Sequence, residues 1–222
     1  MTRFIDDLLW LLTGYSTRLV YQPFVASLDE LYMQADKVHG VFKDLIEAIA
    51  SSTGGRALVA PLKGIARAQD KAQFKYKDRR NGRISWYRLT DLVRATIRYT
   101  TVNDMYKGLQ HLMDTHHDMC IDILEFNDRF QRALPGGYRD LQMTIKVHGH
   151  VCELQLNTEA MLEVKETSGH RHFDVLRELV AKISEGGDLA ACEGALQQRK
   201  WRNESLRYCS EIYDLRFRYV RH

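Results

Sequence analysis

Apolar positions early in the chain recur at three- and four-residue steps: Leu28, Leu31, Tyr32, Ala35, Val38, Val41, Phe42, Leu45, Ile46 and Ile49. That period predicts an amphipathic helix, and the first fifty or so residues read as helical. Ser51 to Gly55 breaks the pattern. A second helix is expected from about Pro61, a residue tolerated in a first helical turn, to about Lys77. After a turn at Asn81-Gly82 the pattern changes. Arg94 to Tyr99 alternates as a strand does, Val102 to Thr115 fits a helix, and Met119 to Phe126 reads as another strand. Gly136-Gly137 opens a strand from Tyr138 to Val147, and His148-Gly149 turns the chain into a strand from His150 to Asn157. A long helix is expected from near Thr158. Another, rich in Arg, Tyr and Leu, follows Gly186-Gly187 and continues to His222. Helices before, between and after strands predict an α+β fold, with a mixed sheet of about five strands and flanking helices. The chain is read as one domain over 1–222, with N-terminal helices over 1–55, a core over 56–184 and a C-terminal helix over 187–222.

The hairpin has a predictable register. A two-residue turn at His148-Gly149 pairs Val147 with His150. Thr144 then faces Glu153, Gln142 faces Gln155 and Asp140 faces Asn157. Tyr138, Asp140, Gln142, Thr144 and Lys146 share a side with Glu153, Gln155 and Asn157. Leu141, Met143, Ile145 and Val147 share the other with Cys152, Leu154 and Leu156. A slip of one residue would destroy that agreement. One face is expected to pack on helices and the other to form a polar floor.

Composition is that of an ordinary globule, with 45% hydrophobic and 27% charged residues and a net charge of only +3. Charge is unevenly spread. From Lys63 to Arg98 there are eleven Lys or Arg against three acids, so the rest of the chain is net acidic. A basic block beside acidic residues favours a compact polyanion such as a nucleoside triphosphate. The four cysteines show no zinc or redox spacing and point to a reducing, cytoplasmic setting. The apolar stretch from Phe4 to Leu12 carries Asp6 and Asp7, is too short to span a bilayer and makes a poor signal peptide. No membrane role is expected. Delivery by a specialised secretion system would leave no such mark.

Three sets of residues carry candidate chemistry. Lys63, Arg67, Lys71 and Lys75 are spaced by four along one helical face and can grip phosphates; the plain alternative is a solvated surface. Asp91, at the mouth of a strand, and Glu153, on the polar floor, suit magnesium. That ion takes one or two protein carboxylates and fills its shell with water and phosphate oxygens. The alternative for Glu153 is a salt bridge to Lys146 or an arginine. Tyr138 is placed to stack on a base, or else packs against the next helix. The histidines lack zinc-like partners, and no GxxxxGK[ST] loop or nucleophile motif is present.

Lys63-Gly64-Ile65-Ala66-Arg67-Ala68-Gln69-Asp70-Lys71, Asp91-Leu92, Gly137-Tyr138-Arg139-Asp140-Leu141 and Glu153-Leu154-Gln155-Leu156 follow one another in that order. So arranged, they resemble the synthetase domain of the RelA/SpoT family. Met161 to His172, with Glu166 and His170, fits the helix after that domain's last strand. The likeness covers roughly Ala57 to Leu179. It implies a nucleotidyltransferase-like fold and transfer of the β,γ-pyrophosphate of ATP to a ribose 3′-hydroxyl of a nucleotide, giving (p)ppGpp or (p)ppApp. It implies Lys63 and Lys71 on ATP phosphates, with Arg67 and Arg94 expected to join them, and Asp91 and Glu153 on Mg2+ as catalytic and metal residues. Glu153 would also draw the hydroxyl proton. Tyr138 would stack on the acceptor base, joined on the acceptor side by Asp140, Gln142, Gln155 and Asn157.

Several residues depart from the family pattern. Pro61 and Arg67 stand in the basic helix where arginine and serine are usual. Asp140 and Gln142 stand where serine and histidine usually follow the tyrosine, and Asn157 replaces a terminal arginine. The donor and metal residues are better kept than the acceptor residues. The acceptor therefore stays open between GTP or GDP, an adenine nucleotide and the 3′ end of tRNA, the last a toxin's target. A catalytically inactive nucleotide- or protein-binding module is the reading from another class. No hydrolase or regulatory domain is expected. Trp10, Trp201 and the row Tyr208, Tyr213, Phe217 suit a homo-oligomer contact or an antitoxin or immunity partner, or packing within the chain.

Overall fold

The computed structural model describes residues 20–166 other than 79, 135 and 136. The elements are α1 (Leu28–Thr53), β1 (Arg56–Val59), α2 (Ile65–Tyr76), β2 (Arg94–Tyr99), α3 (Val102–Thr115), β3 (Ile121–Asp128), β4 (Leu141–Val147), β5 (His150–Thr158) and α4 (Glu159–Val164). A 3-10 turn covers Trp86–Arg88. The readings placed on Phe4 to Leu12, Trp10, His170, Cys192 and Cys209 lie outside the described residues, as do the 187–222 helix and its aromatic row.

Two compact units are present. One holds the described residues up to Asp128 together with Leu141–Asn157; the other holds Arg129–Asp140 and the described residues from Thr158 on. The first contains one mixed five-stranded sheet in the order β1-β2-β5-β4-β3. The α+β class and five-stranded sheet expected from the sequence are what the structure has. The unplaced fifth strand is β1, four residues antiparallel to β2.

α1 begins where Ser27 accepts from the Glu30 amide, while the Glu30 carboxylate takes the Ala26 amide at 2.8 Å. This is a capping box displaced by one residue at its outer bond. The helix ends at Gly54, left-handed at φ 70. Leu31, Ala35, Phe42 and Ile46 are fully buried along its stripe, and the helix contacts β1, β2 and α3. Truncating Phe42 to alanine would cost about 3–5 kcal/mol. Gly108 in α3 leaves room for the Tyr99 ring, whose hydroxyl lies 2.9 Å from Thr53 Oγ1.

The hairpin register is as read from the sequence: Val147↔His150, Thr144↔Glu153 and Gln142↔Gln155. His148 (φ 48) and Gly149 (φ 81) both take the positive φ that a primed two-residue turn requires. The inward row of Leu141, Met143, Ile145, Val147, Cys152, Leu154 and Leu156 is buried. β4 starts at Leu141 and not at Tyr138. The expected Asp140–Asn157 pair therefore falls outside the ladder, with its members in different units. β3 runs two residues later than the alternation suggested, because His116 and His117 carbonyls first close a turn on Ile121 and Cys120.

Candidate functional site

Asp91 sits just before β2, its side chain only 14% exposed. Lys63 reaches its Oδ2 at 2.6 Å and Lys71 reaches the same oxygen at 2.8 Å. Arg94 donates to the Asp91 carbonyl at 3.4 Å. Asp91 Oδ1 is buried and has no hydrogen-bond partner among the described residues. An anionic oxygen buried without a donor is costly unless something binds it.

The two lysines arrive by different routes. α2 starts at Ile65, so Lys63 precedes the helix and does not belong to its face, contrary to the four-residue spacing. Its backbone is held from two sides. The Tyr32 hydroxyl donates to Lys63 O, His39 Nε2 lies 3.0 Å from Ala60 O, and the Ala60 and Lys63 amides donate to Arg94 O and Leu92 O, each at 3.1 Å. Lys71 comes from α2, where only Ala68 and Ala72 are buried. Small residues on that side let the helix lie close to its neighbours. Ile65 and Phe74 are 55% and 54% exposed. Arg67 is exposed on α2 and makes none of these contacts.

Electrostatics follow from this crowding. Burial disfavours the Asp91 charge, but Lys71 and Lys63 together outweigh it and hold the carboxyl below the usual aspartate range. Burial also acts on Lys63, and with help from the Lys71 and Arg94 charges it overcomes the attraction of Asp91, so the ammonium pKa is lowered. The carboxylate is over-supplied with cations, whereas Lys63 shares its counter-charge.

Glu153 lies on β5 beside this cradle. Its amide donates to Val93 O at 3.0 Å, two residues from Asp91, and Gln155 Nε2 donates to its Oε1 at 3.0 Å. Lys146 pairs with Asp122 at 2.6 Å. A carboxylate just before β2 and another on the neighbouring β5 are the kind of donor set a hard divalent cation uses when water and phosphate complete its shell. Among the described residues no group of three or more His, Cys, Asp or Glu is placed to hold a metal.

The polar floor is less open than expected. Gln142 and Thr144 are 7% and 4% exposed, and Asn157 is fully buried. A bulge between Ile123 and Glu125 shifts β3 by one residue and sets Glu125 opposite Thr144, in one cross-strand row with Glu153. Glu125 accepts from Thr144 at 3.1 Å and from Asn127 at 3.3 Å, and Asn127 also donates to Gln142 at 2.8 Å. Sequence reading missed Glu125 and Asn127, because strict alternation puts Leu124 in that row.

Tyr138 and Asp140 are in the second unit. Tyr138 is 7% exposed, with the Lys165 ammonium 5.2 Å from its ring centre, so it is not the open stacking surface expected. It lies in a loop, after Gly137 at φ 83, and not in a strand. Asp140 is fully buried and paired with Arg129 at 3.0 Å. Burial raises its pKa despite Arg129 and the Tyr138 bond. A backbone bond from Arg129 N to Asp140 O, 2.9 Å, closes the loop.

No family model matches the chain, and no curated protein does. Solved structures do. The type VI effector Tas1, in complex with its immunity protein, matches with TM-score 0.50 and 19% identity over 81% of this chain and 96% of that one. Small alarmone synthetase 2 from Bacillus subtilis matches with TM-score 0.50 and 14% identity over 81% and 94%. At these identities the likeness shows the fold, which is that of the small alarmone synthetases.

Proposed function

We propose that the protein is a magnesium-dependent pyrophosphokinase that moves the β,γ-pyrophosphate of ATP to a ribose 3′-hydroxyl of a nucleotide. The observation that carries the proposal is the trio of Lys63, Lys71 and Asp91, with Asp91 Oδ1 buried and unpartnered beside the strand of Glu153. That set offers ammonium groups for phosphates and carboxylates for a cation. Magnesium, held by Asp91 and Glu153, would supply charge neutralisation on the transferred phosphates.

The residues of the chain do the rest. Lys63, Lys71 and Arg94 bind and align the triphosphate, and the part-buried setting strengthens each contact. Glu153 accepts the proton of the attacking hydroxyl. The new bond joins that oxygen to the β-phosphorus, the bond to the α,β-bridging oxygen breaks, and AMP leaves carrying that oxygen. Little covalent help is needed, so positioning and charge dominate the rate. Arg67, exposed on α2, contributes a peripheral charge.

A second reading concerns the setting. The likeness to an effector crystallised with its immunity protein favours a toxin that acts inside a recipient cell and is restrained by a partner protein. It makes the same chemistry harmful without changing its steps. The test of the reaction is to incubate the full chain with γ-labelled ATP, magnesium and separate acceptors: GDP, GTP, ADP, ATP and tRNA. Label in one acceptor with equal AMP supports the proposal. AMP from none overturns it.

A further inference from the structure

Both lysines close on the same oxygen, Asp91 Oδ2, and leave Oδ1 with no partner. The side chains are 15%, 23% and 14% exposed for Lys63, Lys71 and Asp91, so the contacts are only weakly screened by water. A divalent cation approaching Oδ1 alone would meet one carboxylate already shared by two ammonium groups, with Arg94 close behind. Charge repulsion opposes it. A triphosphate changes the balance, because it offers the lysines other anionic oxygens and exposes the whole Asp91 carboxylate to the cation.

The exchange needs side chains only. The Lys63 backbone is pinned by Tyr32 and Leu92, and the Lys71 helix sits on buried Ala68 and Ala72. Lysine has a long flexible stem and three donors that can be redirected without moving the chain.

We infer that Lys63 and Lys71 form an internal counter-ion clamp on Asp91, so that the nucleotide-free protein holds its divalent cation weakly and takes it up together with the triphosphate. The inference rests on the metal–nucleotide reading of the site given above. By linkage, the cation then raises nucleotide affinity by the same factor that the nucleotide raises cation affinity.

The test uses manganese(II) as the cation and the full chain without nucleotide, with free manganese followed by electron paramagnetic resonance. Lys71→Met and Lys63→Met should each bind manganese about tenfold or more tightly than the wild type. Adding Asp91→Asn should return both to background. Calorimetry with a non-hydrolysable ATP analogue should show the opposite sign, with the analogue bound more weakly by each lysine variant. A purely structural role would not move the two affinities in opposite directions. Lys63→Gln and Lys71→Gln repeat the measurement if a methionine variant melts early. Unchanged or weaker manganese binding in the lysine variants would overturn the clamp. AMP release, measured on the same preparations, reports separately on the transferase. Opposite affinity shifts without AMP from any acceptor would leave the clamp standing and remove the enzyme.

Discussion

Asp91 and Asp140 are aspartates that each meet a basic side chain, but their surroundings differ. Asp91 keeps 14% of its side chain exposed, is shared by two lysines and retains one oxygen without a partner. Asp140 has no exposure and gives both oxygens to one guanidinium, at 3.0 and 3.4 Å. A carboxylate with spare capacity, ringed by more cations than it can satisfy, is poised to exchange partners. A carboxylate sealed between an arginine and a tyrosine hydroxyl is poised to hold a loop. Under the proposed function the first serves chemistry and the second architecture, although the sequence presents both in motif-like runs.

The largest effects should separate the two. Asp91→Asn should lower AMP release by about 10³-fold, since a preorganised charge in a part-buried site is lost. Its unfolding free energy should fall by less than that of Asp140→Ala, because the long Lys63 and Lys71 stems can redirect their ammonium groups. Asp140→Ala should do the reverse. Leaving Arg129 without its buried partner should cost about 3–5 kcal/mol in urea unfolding. A stable Asp140→Ala protein would break the comparison.

A third buried group sharpens it by having no counter-charge among the described residues. His150 is 2% exposed, its Nδ1 lacks a partner among the described residues, and Gln22 Nε2 lies 3.4 Å from its Nε2. Burial lowers its pKa to about 4. Its folded pKa is thus below the ordinary 6.5, so the unfolded chain takes up the proton first and stability falls as pH drops from 6.5 towards 4. The loss should approach about 3 kcal/mol across that window and be absent in His150→Gln, as read from unfolding at stepped pH. Smaller still is Glu125→Gln. It keeps the shape of the cross-strand row but replaces an ionised acceptor, and should cost about 1 kcal/mol.

Legibility in the sequence tracked local periodicity. The β4–β5 register could be read because a two-residue turn fixes parity, and parity fixes every face on both strands. Arg94–Tyr99 and Val102–Thr115 were read to the residue for the same reason. β1 escaped because Arg56-Ala57-Leu58-Val59 is short and apolar after its first residue, so the sequence hides the alternation that its exposure shows. The pairing of Lys63 with Lys71 on Asp91 is a tertiary event. Spacing by four suggested a helical row, but Lys63 is placed by a loop tied to α1 and β2. Glu125 was hidden by a bulge that reverses parity within a strand. The exposure expected of Tyr138 failed because its burial, with Lys165 5.2 Å from the ring centre, joins residues that no local pattern connects.

The most direct measurement is transfer of label from γ-labelled ATP by the wild-type chain and by Glu153→Gln, side by side, each with its thermal transition recorded. The account predicts label in an acceptor and stoichiometric AMP from the wild type, and neither from Glu153→Gln, with both proteins melting together. Transfer at the wild-type rate by a folded Glu153→Gln protein would contradict it.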